Sequence, residues 1–98
     1  MPSLWEKVKS WLENTTEQAL KEAEDLSKKG RMKMQIFSLH RSLKDHFTDL
    51  GGLVYQLITT QEKVEENPKV KEIIGKIREL EVELREKERA YEALKKKG

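Results

Sequence analysis

The chain has 98 residues, of which 36% are hydrophobic and 39% charged, with a net charge of +2 and no cysteine. That composition is too poor in apolar residues for a compact globule, and it suits helices that each bury one stripe. The lack of cysteine excludes disulfides, thiolate catalysis and cysteine metal sites. No segment carries the one-signed basic field of a nucleic-acid binder, so no nucleic-acid partner is expected.

The first predicted element opens with Ser3-Leu4-Trp5-Glu6, a capping box in which the serine and glutamate side chains satisfy each other's free amides. Leu4, Trp5, Val8, Trp11, Leu12, Ala19, Ala23 and Leu26 fall in one arc, with Glu6, Ser10, Glu13, Glu17 and Glu24 opposite. An amphipathic helix over about 4–29 follows, and Lys28-Lys29-Gly30 reads as its C-terminal stop. Trp5, Val8, Trp11 and Leu12 are its expected contact residues, either in a helical bundle or, through the tryptophans, at a membrane interface.

The second element is expected over about 31–66. Ile36, Leu43, Leu50, Leu57 and Val64 recur every seven residues, and Leu39, His46, Leu53 and Thr60 follow three later, in the a and d positions of a heptad. Phe37, Gly51, Tyr55 and Ile58 form a second apolar flank beside this stripe. Gly51-Gly52 lies inside the helical pattern, where each glycine costs about 1 kcal/mol against alanine. The glycines are expected either to admit a crossing helix close to the backbone at Gly51, with Tyr55 beside it, or to kink the helix locally.

Asn67-Pro68 combines a preferred N-cap with a favoured first helical residue, and predicts a tight turn into a third helix over 68–97. Val70, Ile77, Leu84 and Tyr91 occupy a, while Ile73, Leu80, Lys87 and Leu94 occupy d, which makes Leu84 and Tyr91 expected packing residues. The fold class is therefore all-α. An antiparallel coiled-coil hairpin follows an N-terminal amphipathic helix in a single helical domain, as a three-helix bundle or an oligomeric coiled coil.

Neither catalysis nor a cofactor has support in the residues. His40 and His46 are six apart, which puts them about 120° apart around a helix, whereas paired helical metal ligands need a spacing of three or four. Both are expected to be partly buried or at the boundary of the apolar stripe. Glu72, Glu79, Glu83 and Glu86 form an acidic stripe whose hard oxygen ligands suit a cation or a mineral surface, although a solvated coiled-coil face accounts for it as well. Lys7 and Lys9 interrupt the only early apolar stretch, so no signal peptide is read and a cytoplasmic location is expected, with peripheral membrane contact as its extension.

The run from Arg31 through Met32, Lys33, Met34, Gln35, Ile36 and Phe37, continued from Phe47 to Tyr55, resembles a segment of small, uncharacterised bacterial proteins. These pair an amphipathic N-terminal helix, with a start like Ser3-Leu4-Trp5-Glu6-Lys7, with a coiled-coil tail. The resemblance implies no activity. In size and layout the chain is also similar to magnetosome-associated coiled-coil proteins of deltaproteobacteria, which implies contact with an iron mineral such as magnetite. The expected role is a non-enzymatic module for self-association or for binding a helical protein partner, and the alternative is a peripheral surface binder on membrane or mineral.

Overall fold

The computed structural model describes residues 3–23 and 28–97, and the side chains of 3–13 and 28–96. Among the described residues there are three helices, α1 (Leu4–Ala23), α2 (Lys28–Thr59) and α3 (Pro68–Lys97). None is long and apolar enough to cross a membrane.

Helix α1 starts where its capping box lies, with the Glu6 amide donating to Ser3 Oγ at 3.2 Å. Helix α3 starts at its asparagine cap, where Asn67 Oδ1 accepts from the amides of Lys69 at 2.9 Å and Val70 at 3.2 Å. Ion pairs Glu72–Lys76 and Glu81–Arg85 run along its outer face in the favourable orientation.

Helix α2 lies between the other two and runs antiparallel to both. Trp5 meets Phe47 and Trp11 meets Phe37, so rising numbers on α1 face falling numbers on α2. Lys33 lies over the Tyr91 ring, while Asp49 and Leu53 share a groove with Lys69 and Ile73. The heptad a residues carry the shared core. Val8, Ile36, Leu39, Leu43, Ile77 and Leu84 are buried in one cluster, with Leu4, Trp11, Leu12, Phe47, Leu50, Ile73, Leu80 and Tyr91 packed around it. The hairpin and the N-terminal helix thus form a three-helix arrangement within one chain.

Three expectations of the sequence are corrected. The second helix stops at Thr59 and not near Glu66, and residues 60–67 form a connector in place of a tight Asn67-Pro68 turn. The stop is a Schellman motif, in which the Glu62 amide donates to Leu57 O at 2.8 Å and the Gln61 amide to Ile58 O at 3.1 Å. Gln61 takes the left-handed conformation with φ 60°, a position glycine usually fills. The Thr59 hydroxyl donates to Gln56 O at 2.8 Å and the Thr60 hydroxyl to the Glu62 carboxylate at 2.7 Å, so two β-branched residues help to close the helix at a point where the heptad phase continues through Thr60.

The second correction concerns Lys28-Lys29-Gly30, which opens α2 and does not close the first helix. Gly30 is buried in the first turn of α2, where backbone amides have no intrahelical partner to lose. Helix α1 is described as far as Ala23. Leu26 lies outside the described residues, and the side chains of Ala19 and Ala23 outside the described side chains.

The third correction is at Gly51. A Cβ built there, or at Gly52, meets nothing within 4 Å. The helix that packs on this side of α2 is α1, and it does so at Phe37, His40 and Phe47. The rest of this flank, Gly51, Tyr55 and Ile58, is left open.

Candidate interaction surface and the helix α1 seat

Two features stand out on α2: a polar group buried under α1, and an apolar lane that α1 leaves exposed. At 100° per residue, Phe37, His40, Lys44, Thr48, Gly51, Tyr55 and Ile58 fall on one lane about 80° wide. Helix α1 covers its first part. Trp5 packs on Phe47 with ring centroids 5.3 Å apart, and Trp11 on Phe37 at 5.8 Å. Val8, between them on the same face of α1, is fully buried.

His40 lies at the centre of that seat. Its imidazole stacks on the Trp11 indole with centroids 4.4 Å apart and planes 13° apart. It is 0% exposed, and among the described residues neither Nδ1 nor Nε2 finds a hydrogen-bond partner. Burial lowers its pKa from 6.5 to about 4; the Glu88 carboxylate opposes that shift and the Lys7 ammonium adds to it. Lys7 and Glu88 pair with each other at 2.9 Å, which ties α1 to α3 across the end of the seat. At neutral pH the buried ring is therefore uncharged, as a stacked face between two helices requires.

Beyond Phe47 the lane emerges into solvent. Tyr55 is 73% exposed and Ile58 is 62% exposed, and both glycines are open. Val54 is half-buried at its margin, while Leu53 lies on the opposite side of α2, against Lys69 and Ile73 of α3. Two large apolar side chains one turn apart on a well-formed helix constitute a continuous patch, unlike the scattered exposed Met34 and Val82.

The residues singled out in the sequence divide accordingly. Val8 and Leu84 are core, Trp11 and Leu12 pack against it from the underside of α1, and Trp5 stays 37% exposed beside Phe47. Tyr91 is half-buried at the far end of the hairpin between the ammonium groups of Lys33 and Lys95, 5.5 and 5.7 Å from its ring centroid. Gly51 and Tyr55 belong to the open lane. Glu72, Glu79, Glu83 and Glu86 are all exposed on α3, with Glu72 held by Lys76 at 3.5 Å. They extend over about 21 Å of helix, and among the described residues no three acidic or histidine side chains gather to hold a metal ion.

A groove of about 510 Å³ between α2 and α3 is lined by Arg31, Met34, Gln35, Ser38, Glu83 and Lys87, and a smaller cleft of about 190 Å³ by Trp11, Lys33, Ile36, Glu88, Tyr91 and Lys95. Sequence reasoning placed His40 partly buried or at a boundary and missed its complete burial, because its partner Trp11 comes from a helix whose docking position no local pattern reveals. The Lys7–Glu88 pair, 81 residues apart, carries no sequence signal either.

The chain matches no family model, no curated protein and no solved structure.

Proposed function

We propose that the chain is a non-enzymatic helical interaction module that self-associates. The observation that carries this reading is the uncovered end of the α2 lane, where Tyr55 and Ile58 stand 73% and 62% exposed directly beyond the seat of α1. The same lane already binds one helix within the chain, so its chemistry suits another. A helix with an apolar lane on one side and a hairpin partner on the other is built to receive a further helix. Both tryptophans of α1 turn toward α2, which supports their role as packing anchors ahead of one at a lipid surface.

Light scattering over a range of concentrations tests the reading. The expected result is a mass that rises above the 11.5 kDa of one chain as concentration increases. A mass fixed at one chain throughout contradicts it.

A further inference from the structure

We infer that the occupant of the open lane is a second copy of the chain, docked antiparallel about a two-fold axis that crosses the lane level with residue 53, between Gly51 and Tyr55. The inference rests on the self-association reading above and names its surface and geometry. Its basis is that the lane is complementary to itself when reversed.

Reversal about this axis sets Tyr55 of each copy against Gly51 of the other, and Ile58 against Thr48. Tyr55 and Ile58 project into solvent, whereas Gly51 offers bare backbone with nothing within 4 Å of a Cβ. A bulky side chain therefore meets a position with room for it, twice over, as a two-fold interface requires. The glycines also gain a reason to be there. Inside the monomer they weaken α2 and contact nothing, whereas at a helix crossing the missing side chain allows close approach.

Charge points the same way. Arg41 and Lys44 lie at one end of the lane, and the connector at its other end carries Glu62, Glu65 and Glu66 against a single Lys63. Glu62 is fixed at the helix end by the hydrogen bond its backbone amide donates to Leu57 O and by the Thr60 hydroxyl, which donates to its carboxylate at 2.7 Å. In the antiparallel arrangement the acidic connector of one copy approaches Arg41 and Lys44 of the other. A parallel pair would bring like charges together at both ends.

The open lane, residues 48–59, is only about 18 Å long. An interface of that length falls at or below the small end of stable complexes, so the dimer is expected to be reversible in the micromolar range.

The test is sedimentation equilibrium on the full chain, with helical circular dichroism recorded for each variant. The wild type is expected to shift from one chain toward two. The Tyr55→Ser/Ile58→Ser variant is expected to keep its helicity and to weaken association about tenfold or more. Lys44→Glu and Glu62→Lys should each weaken it, and the two together should restore it, because the swapped charges meet across the axis. Both lie on exposed residues, so this exchange decides the matter even if the first variant loses helicity. A wild-type dimer untouched by the Tyr55/Ile58 changes overturns the surface and leaves self-association standing. Failure of the double charge exchange to restore association overturns the antiparallel register. A wild type that stays a single chain at every concentration overturns both.

Discussion

The Trp11 indole lies stacked on the His40 imidazole, 4.4 Å between centroids, and this contact sets the position of α1 along α2. Neither ring is part of the heptad a and d ladder that holds the hairpin together. The stack places a titratable group, without hydrogen-bond partners among the described residues, at the joint between α1 and the hairpin.

Stability should fall as the solution is acidified from pH 6.5 toward 4. The His40 pKa is lowered on folding, so in that window the unfolded chain binds more protons, and stability rises with pH. The stabilisation is fully present above pH 6.5, declines as pH falls through the window and changes no further below about 4. A shift of this size corresponds to roughly 3 kcal/mol at most. Urea unfolding at several pH values measures it. His40→Leu should flatten the dependence between pH 6.5 and 5, above the usual carboxylate range, and an unchanged slope there would show that His40 is not the group responsible.

Gln61→Gly should stabilise the chain by about 0.5–1 kcal/mol. Gln61 occupies a left-handed position that disfavours residues with a Cβ by about 1–2 kcal/mol, part of which glycine gives back as chain entropy. The denaturation midpoint should rise without a change in slope. A lowered midpoint would mean that α2 does not end in this motif.

Much of the fold could be read from the sequence because its periodicity and its caps agree. Val70, Ile77 and Leu84 are 4%, 7% and 1% exposed, as heptad a positions should be, and Ser3 and Asn67 cap the helices they precede. The end of α2 was hidden because Thr60 and Val64 continue the heptad, and because the residue that closes the helix is glutamine in place of glycine. The start of α2 was hidden for the opposite reason, as Lys28-Lys29-Gly30 has the chemistry of a helix end. The candidate surface was half legible. The flank of Phe37, Gly51, Tyr55 and Ile58 exists, but which part of it α1 covers depends on the side chains of Trp5 and Trp11 meeting Phe47 and His40. Such contacts between segments distant in sequence leave no local pattern.

Gly51→Ala and Gly52→Ala should both raise the melting temperature in dilute solution. Neither added methyl group meets an atom within 4 Å, so the gain in helix propensity, about 0.5–1 kcal/mol each, acts unopposed. A lowered melting temperature at Gly51 under these conditions would require a neighbour within the chain.

Leu84→Ala should cost about 2–5 kcal/mol, since the side chain is 1% exposed within the shared core. Arg78→Ala, on the exposed face of the same helix, should cost under about 0.5 kcal/mol. Equal costs in urea titrations would contradict the packing of α3.

The central claim is that one lane of α2 is divided between α1 and an outside helix, and amide hydrogen exchange at two protein concentrations tests it most directly. Residues 36–43, beneath α1, should be protected equally at low and high concentration. Residues 48–59 should exchange faster in dilute solution and slow as concentration rises. Protection of 48–59 that does not depend on concentration, together with rapid exchange at 36–43, would contradict both halves of the account.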